Sequence, residues 1–308
     1  MLEDTPPTKK SKVIKGFLIG QILSVINATT YAMTNYLGQT TMTGSAIFQA
    51  ISVYWALPIP LFILSLFYST EAIVDFLRSV KVKIALSITL IDITATVCMI
   101  IGIQKTTVVS SELISVCGIP FVIILSYFIL HKTFSISQLF SAGFAVLGFI
   151  LVSIGDVQKS STQLVGDVLC LVSTILYSVS NTLQELTINM ESPFSCMNYI
   201  ILLGMYGPFL SLPFALLFFV FPINFNLSPT QIAVFATYPF LQVVIYSSIA
   251  LVIKTTSAAF FNVSNLTSSI YGLFYDLFLF NVKPNALAIV GAVFIFISVF
   301  LFSFFECR

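Results

Sequence analysis

Four acidic side chains lie inside long apolar runs of the sequence. They are Asp92, Glu112, Glu185 and Asp276. Each costs about 2.5–3.5 kcal/mol at the centre of a membrane helix on insertion scales, so four acids that all face lipid cost on the order of 10 kcal/mol. We therefore expect them to face a water-filled path or one another. The apolar runs contain no Lys or Arg that could pair with them.

Two roles are open for these acids. Burial without a cation favours the neutral carboxyl, which suits a group that takes up and releases protons during transport. The hypothesis is proton coupling, with Glu112 and Glu185 as the carriers. The alternative is that each acid is a protonated hydrogen-bond donor with a structural role. Transport that is insensitive to pH in both the native protein and Glu185→Gln would refute the coupling hypothesis.

Amides and tyrosines recur at helical spacing in the same runs. Tyr31 and Asn35 lie four residues apart in the first run, and Tyr177 and Asn181 repeat this pair in the sixth. Steps of three and four place side chains on one helix face. The residues predicted to contact a substrate are Gln21, Tyr31, Asn35, Tyr177, Asn181, Asn262, Asn265, Ser269 and Tyr271. The alternative is helix–helix packing, in which an interhelical hydrogen bond contributes only about 0.6 kcal/mol.

Cations are scarce near the middle of the apolar runs. Lys105 and Lys254, at the ends of two short turns, are the only candidates, and both arginines lie outside the runs. Bidentate arginine contacts are the strong ones for phosphate, so a diphosphate carrier would be expected to have them. Tyrosine rings with amides and carboxylates fit an uncharged or cationic ring compound better.

These polar residues are positioned by ten apolar runs. Hydrophobic residues make up 58% of the chain and charged residues 8%, against about 25% charged in soluble domains. A membrane helix needs roughly 20 mainly apolar residues. The predicted spans lie near 16–38, 45–68, 83–103, 107–130, 135–155, 164–187, 197–220, 230–252, 256–280 and 285–305.

The two halves of the chain repeat each other. Gly20 aligns with Gly166, Pro58 with Pro208, and the sequence from Lys105 to Thr107 with that from Lys254 to Thr256. Five spans per half is an odd number, so the second half enters the bilayer from the opposite side. An inverted repeat of this kind is typical of secondary transporters. We predict an all-α membrane protein with a disordered cytosolic tail and two five-helix repeats. These segments comprise 1–15, 16–158 and 159–308.

The distribution of positive charge predicts the orientation. With both termini in the cytosol, ten of the Lys and Arg residues lie on the cytosolic side and three on the other. The cytosolic set is Lys9, Lys10, Lys12, Lys15, Arg78, Lys81, Lys83, Lys132, Lys254 and Arg308. The opposite set is Lys105, Lys159 and Lys283. The sequence does not distinguish the plasma membrane from Golgi or other endomembranes.

Several motifs resemble a known family. They are the run Leu164–Asp167, the run Leu176–Asn181 followed by Gln184 and Glu185, and the run Val252–Ala258. They resemble solute carrier family 35, subfamily F, over nearly the whole chain. The resemblance implies the fold of the drug/metabolite transporter superfamily, with ten helices in a five-plus-five inverted repeat.

The resemblance also suggests substrate classes. Subfamily F resembles importers of nucleobase- or nucleoside-like compounds such as queuine and its nucleoside, whereas the wider family exchanges nucleotide sugars in the Golgi. The scarcity of midplane cations favours the first class. A nucleotide-sugar/nucleoside monophosphate antiporter and a carrier of another small metabolite remain alternatives.

Other protein classes fit less well. One histidine in the chain disfavours a membrane enzyme, and the repeat disfavours a channel. A receptor or scaffold without transport remains an alternative. No cofactor or metal is expected, because the five cysteines lack metal-ligand spacing. The expected partners are a small-molecule substrate and the lipid bilayer. A net charge of +1 does not suggest nucleic acid, and a homodimer is compatible with the sequence.

Overall fold

The computed structural model of the chain is all-helical. It describes residues 9–41, 44–155, 161–219, 227–281 and 286–306, and these contain no β-strand. Two short 3₁₀ helices, Ser195–Met197 and Leu212–Phe219, flank the tenth α-helix. The α-helices are α1 (Lys9–Thr40), α2 (Gly44–Ala56), α3 (Pro58–Phe67), α4 (Thr70–Ser79), α5 (Val82–Lys105), α6 (Val108–Val116), α7 (Gly118–Leu130), α8 (Ile136–Gly155), α9 (Ser161–Ile188), α10 (Asn198–Ser211), α11 (Pro229–Thr255), α12 (Ala258–Asn265), α13 (Ser268–Phe278) and α14 (Ala286–Glu306).

Seven helical segments in the described part of the chain are long and apolar enough to cross a membrane. They are Val13–Thr40, Ser45–Phe67, Val82–Lys105, Ser110–Leu130, Thr162–Ile188, Ser195–Leu217 and Pro229–Thr255. The chain is therefore an integral, multi-pass membrane protein. Helices α8 and α14 carry shorter apolar stretches, and α12 and α13 divide the ninth predicted run. The ten-span inverted repeat stays a prediction.

Three of the predicted spans, the second, the fourth and the ninth, are each divided between two α-helices. The second run breaks before Pro58, the first residue of α3. The fourth breaks at Cys117, just before Gly118 and Pro120. Proline cannot donate a backbone hydrogen bond and clashes with the preceding turn. Broken helices are tolerated at membrane depth where they lie in protein or line a cavity.

Helix α4 was not predicted. It begins after Ser69, whose side chain accepts a hydrogen bond from the Ala72 nitrogen at 3.3 Å, and it buries Ile73 and Phe76. Its last turn carries Arg78, which favours the negative end of the helix dipole. The cap and the apolar pair three residues apart were the signals that could have identified it.

The boundary of the predicted N-terminal tail needs correction. Residues 9–15 were assigned to a disordered tail, yet α1 begins at Lys9. The stretch from Lys9 to Lys15 contains no Pro or Gly, and Val13 is buried in the core. Residues 1–8, the predicted boundary between 158 and 159, Lys159, Lys283 and Arg308 lie outside the described residues.

The helices pack closely around a common core. The main contacts pair α8 with α14, α5 with α9, and α1 with α11. At the first of these crossings the backbones touch, because a Cβ atom added to Gly148 would lie 2.7 Å from the backbone oxygen of Gly291. Small residues at crossings are the usual means of close approach in membranes.

Candidate functional site

A cavity of about 130 Å³ lies in the centre of the helix bundle. Its walls come from α1, α5, α6 and α7 of the first predicted repeat and from α9, α11 and α12 of the second. Among the described residues, the lining includes no Lys, Arg or His and only one acid, Asp92. The polar lining consists mainly of four tyrosines and six amides, which are Tyr31, Tyr177, Tyr238, Tyr246, Asn27, Asn181, Gln184, Gln242, Asn262 and Asn265.

The structure places five of the nine predicted substrate-contacting residues in the cavity wall. They are Tyr31, Tyr177, Asn181, Asn262 and Asn265. The other four do not line it. They are Gln21, Asn35, Ser269 and Tyr271. Polar stripes follow a helix face for most of its length, whereas the cavity occupies only part of that length.

Two of these four residues lie buried at other depths. Asn35 donates to the backbone oxygens of Ile103 at 3.2 Å and Thr106 at 2.6 Å, so it links the end of α1 to the end of α5. The Ser269 hydroxyl is buried without a hydrogen-bond partner in the described part of the chain. The Gln21 side-chain nitrogen is likewise unpaired there, and Tyr271 is half-buried.

Two amide pairs lie at the cavity wall, one between the two halves of the chain and one within the second half. The Asn27 side-chain nitrogen lies 3.5 Å from the Asn265 amide oxygen. The Asn181 nitrogen lies 3.4 Å from the Asn262 amide oxygen. Both distances are near the upper limit for a hydrogen bond, so these bonds are weak. The amides can therefore exchange them for bonds to a solute at little cost.

The Asp92 carboxyl group is held by hydroxyls from four different helices. Its Oδ2 accepts from Tyr54 of α2 at 2.7 Å and from Tyr246 of α11 at 2.6 Å. Its Oδ1 accepts from Ser180 of α9 at 2.6 Å and from Tyr199 of α10 at 3.0 Å. We call these five residues the Asp92 cluster. Four donors match the four lone-pair sites of a carboxylate.

A second set of hydroxyls connects this cluster to the cavity wall. The Thr96 hydroxyl lies 2.7 Å from the Tyr54 hydroxyl and 2.8 Å from that of Tyr177. Tyr31, on the same wall, lies 3.3 Å from the Ser115 hydroxyl. These contacts hold the phenol rings in fixed positions around the cavity.

Glu185 has a cation partner that the sequence analysis did not anticipate. The Lys132 ammonium contacts its Oε1, and the Ala258 backbone nitrogen donates to its Oε2 at 3.0 Å. The expectation that no cation pairs with the buried acids is therefore wrong for Glu185. Lys132 was placed in a cytosolic loop, but its flexible stem can reach inward from there. His131 before it adopts a left-handed conformation, φ 53°, that ends α7.

Glu112 and Asp276 lie together away from the cavity. Neither carboxyl oxygen of Glu112 makes a hydrogen bond within the described part of the chain, although the Ser268 side chain lies beside it. Asp276 is its acidic neighbour on α13. Gly272 gives the Glu112 carboxyl its space, because an added Cβ would lie 3.1 Å from Oε2.

Neither hairpin lysine lines the cavity. The Lys254 ammonium donates to the Ser195 hydroxyl at 2.9 Å in an exposed position. Lys105 ends α5 and packs its backbone against Gly166 of α9. At that same turn the Asp167 Oδ1 accepts from Thr106 at 2.7 Å. The first hairpin thus contacts the second half of the chain, whereas the Lys254 contact lies within the second half.

Several polar lining residues were missed by the sequence analysis. They are Asn27, Thr96, Ser180, Tyr238, Gln242 and Tyr246. The last three lie on α11 at steps of four residues, so they share one helix face. This spacing was the signal that could have found them.

A family model described as "Solute carrier family 35" matches residues 9–304, nearly the whole chain. The chain belongs to solute carrier family 35, subfamily F. This is a family of membrane transporters, and the membership agrees with the multi-pass helical fold. It also makes transport the general function of this protein, in place of enzymatic catalysis.

Relatives and a solved structure support this family membership and fold. Solute carrier family 35 member F2 of Mus musculus is 27% identical over 298 residues, covering 94% of this chain and 78% of the mouse protein. The Xenopus tropicalis member F2 is 28% identical, covering 92% of this chain and 75% of its own length. One crystal structure superimposes with a TM-score of 0.69 at 10% identity, covering 93% of this chain and 96% of that one. That similarity concerns the fold alone.

Proposed function

We propose that this member of family 35 is a secondary transporter that moves a nucleobase- or nucleoside-like compound by alternating access. The observation that carries this proposal is the composition of the central cavity. It lies between the two predicted repeats and combines four tyrosines with six amides, and no cation belongs to its described lining.

The chemistry of such a lining suits a flat heteroaromatic solute. Stacking of a base on an aromatic side chain is worth about 1–3 kcal/mol. Amide side chains offer both a donor and an acceptor to the edge of a base. Asn181 and Asn262 already lie at 3.4 Å from each other, so a solute between them can replace their weak bond. A diphosphate would find no guanidinium or ammonium on this wall.

The helix contacts support a five-plus-five inverted repeat within this proposal. Helix α5 is the third span of the first half, and it packs on α9, the first span of the second. Exchanging the halves turns this pair into α11 and α1, which also pack on each other. The contact between α8 and α14 joins the two last spans and maps onto itself. Alternating access then corresponds to rocking of one half against the other.

The proposed orientation places both termini in the cytosol, following the lysine and arginine distribution. Under it, the contact between Lys132 and Glu185 lies at the cytosolic mouth and joins the two halves. The plasma membrane is the proposed location for an importer of nucleobases or nucleosides. A nucleotide-sugar antiporter would instead reside in the Golgi.

The decisive experiment is uptake into proteoliposomes that contain the purified protein. The labelled solutes are nucleobases and nucleosides, including queuine, beside nucleotide sugars with the matching nucleoside monophosphate trapped inside. We expect saturable flux of a nucleobase or nucleoside, reduced about tenfold or more in Asn181→Ala through lost hydrogen bonds to the solute. Ser65→Ala, an exposed change on α3, is the matched control.

Two results would contradict the proposal. Exchange of a nucleotide sugar for the trapped monophosphate would show that the cavity binds diphosphates despite its lack of cations. Binding of a nucleobase without any flux would indicate a receptor.

A further inference from the structure

Helix α9 carries an acidic residue beyond each end of the stripe with which it lines the cavity. Asp167 lies in its second turn and Glu185 in its last, eighteen residues apart. At 3.6 residues per turn this separation is five full turns, so both side chains lie on one face, about 27 Å apart along the axis. The cavity-lining residues of α9 run from Thr174 to Gln184 and lie between the two acids.

Each of these acids contacts the first half of the chain. The Asp167 Oδ1 accepts from the Thr106 hydroxyl at 2.7 Å and from the Ser110 hydroxyl at 2.9 Å, at the turn between α5 and α6. We call this the Asp167 contact. The Glu185 Oε1 contacts the Lys132 ammonium just after the end of α7, and we call this the Glu185 contact. One helix of the second half is thus bound to the first half at both ends of the cavity.

Aromatic pairs between the halves accompany both contacts. Beyond the Glu185 end of α9, the Phe194 ring packs edge-on against Tyr68 and Phe76, with ring centroids 5.4 and 6.0 Å apart. Near the opposite end of the bundle, where α2 and α11 begin, Phe48 packs edge-on against Phe235 at 5.5 Å. The two halves of the chain therefore touch at both ends of the bundle in this structure.

A carrier that alternates must break the contacts at one end while it keeps those at the other. A polar contact suits this role when its two groups belong to different halves and water can replace each partner. The Lys132 side chain is 35% exposed and Asp167 is half-buried, so both contacts lie within reach of water. Each can therefore open without leaving an unhydrated charge behind.

We infer that Asp167 and Glu185 are gating residues, such that the Asp167 contact closes one mouth of the cavity and the Glu185 contact closes the other. This role rests on the alternating access of the proposed function and identifies the contacts that control it. Each half of the transport cycle breaks one contact and keeps the other, as α9 tilts against the first half. Removal of one contact shifts the population of the carrier toward the state that is open at that end.

The test measures access to the cavity from each side of the membrane without any solute. Ser115→Cys places a reporter thiol on the cavity wall. An impermeant thiol reagent is applied to sealed right-side-out and inside-out membrane vesicles, and the ratio of the two labelling rates shows which mouth opens more. The same variants without the reporter measure the background from the native cysteines.

The Glu185 contact is tested with three variants. Lys132→Met should raise the labelling rate about fivefold or more from the side of the Glu185 end and lower it from the other side. Lys132→Arg keeps the positive charge and should keep the native ratio. Arg78→Met removes an exposed cation of α4 at the same end, so it is the matched control and should change neither rate.

Variants of the Asp167 contact should act in the opposite direction. Asp167→Asn removes the charge that strengthens two hydrogen bonds, and Thr106→Val removes one of the two donors. Both should raise the labelling rate from the side of the Asp167 end and lower it from the other. Thr94→Val removes a hydroxyl that is bonded to the Leu90 oxygen within α5, and as the control it should change neither rate.

The outcomes separate the gates from the carrier. Labelling from both sides with the native ratio in every contact variant would overturn the gates and leave the carrier standing. A simultaneous rise from both sides would also overturn them, because such contacts only hold the fold together. Labelling from one side or neither, in the native protein and all variants, would overturn alternating access and the gates together. The comparison of Lys132→Met with Lys132→Arg keeps the test valid even if Asp167→Asn fails to fold.

Discussion

At the scale of single residues, Lys132 and Glu185 show how a buried acid is compensated. The Glu185 side chain is 4% exposed and that of Lys132 is 35% exposed. Glu185 also accepts the Ala258 backbone hydrogen bond, so one carboxylate contacts the ends of α7, α9 and α12. Such a contact holds three elements together at one mouth of the bundle.

We predict that Lys132→Met destabilises the protein because it leaves the Glu185 charge buried and unpaired. The expected loss is about 1–3 kcal/mol, less than for a fully buried pair since Lys132 is partly solvated. The double variant Lys132→Met/Glu185→Gln should recover part of this loss. Thermal unfolding in detergent measures both.

The exposed pair of Arg78 and Asp75 supplies the control for that cycle. Its atoms lie 3.9 Å apart and both side chains are more than two-thirds exposed. Surface pairs contribute about 0–1 kcal/mol, so Arg78→Met should leave the unfolding temperature unchanged. Equal destabilisation by Lys132→Met and Arg78→Met would show that the Glu185 contact contributes no more to stability than a surface ion pair.

A second prediction at this scale concerns proton coupling. Glu185 is paired with Lys132, whereas both Glu112 oxygens lack a hydrogen bond within the described part of the chain. Glu112 is therefore the stronger candidate for the carrier. We expect an inward proton gradient to accelerate uptake into proteoliposomes in the native protein and in Glu185→Gln, and to have no effect in Glu112→Gln. Uptake that ignores the gradient in the native protein would exclude coupling.

At the scale of elements, glycines set the distance between crossing helices. A Cβ atom added to Gly148 would meet the Gly291 backbone oxygen at 2.7 Å and the Ile295 side chain at 2.9 Å. Backbone atoms cannot rotate away as a side chain can. The crossing of α8 and α14 therefore depends on a residue without a side chain.

We predict that Gly148→Ala costs about 1–3 kcal/mol of stability, the usual range for overpacking. Gly143 on the same helix is the matched control, because nothing lies within 4 Å of a Cβ added there. Gly143→Ala should be neutral or stabilising by up to about 1 kcal/mol through helix propensity. Thermal unfolding of both variants in the same detergent tests the prediction. Similar unfolding temperatures would mean that α8 and α14 can separate freely.

At the scale of the whole molecule, an inverted repeat determines on which side of the membrane each turn lies. The turns after α7 and after α13 occupy equivalent places in the two predicted repeats. Each holds a residue with positive φ, His131 at 53° and Asn281 at 56°. An inverted repeat places these equivalent turns on opposite sides of the bilayer, whereas a parallel repeat places them on the same side.

We predict that Thr133→Cys and Asn281→Cys react from opposite sides of the membrane. In intact cells an impermeant thiol reagent should label the Asn281 variant, and only permeabilised cells should show labelling at position 133. The native chain measures background, since its described cysteines are half-buried or buried. Labelling of both variants from outside would rule out the inverted repeat.

The membrane class and the family could be predicted from the sequence because hydropathy and short motifs depend on local chemistry. A run of about 20 apolar residues indicates a span wherever it lies, and the resemblance to family 35 came from contiguous motifs such as Leu164–Asp167. The two stripes that contain Tyr31 in α1 and Tyr177 in α9 were also visible, since helical spacing determines which residues of one helix share a face.

The position of a side chain along the depth of the bundle and its bonding partners could not be predicted in this way. Asn35 and Tyr31 share a face of α1, yet only Tyr31 lines the cavity, because Asn35 is bound to the end of α5. Lys132 lies outside the apolar runs, so hydropathy alone did not predict its contact with Glu185. The Asp92 donors lie on four helices separated by up to 154 residues from the acid.

The sequence by itself thus determined the membrane class, the family and the aromatic and amide character of the site, because each follows from composition and spacing along one helix. Only the tertiary structure decided which stripe residues meet at one depth, which acid faces the cavity and which acid is paired. The physical reason is that a charge buried in a membrane protein is stabilised by whatever groups surround it in space. Those groups come from helices whose order along the chain does not reveal which of them touch.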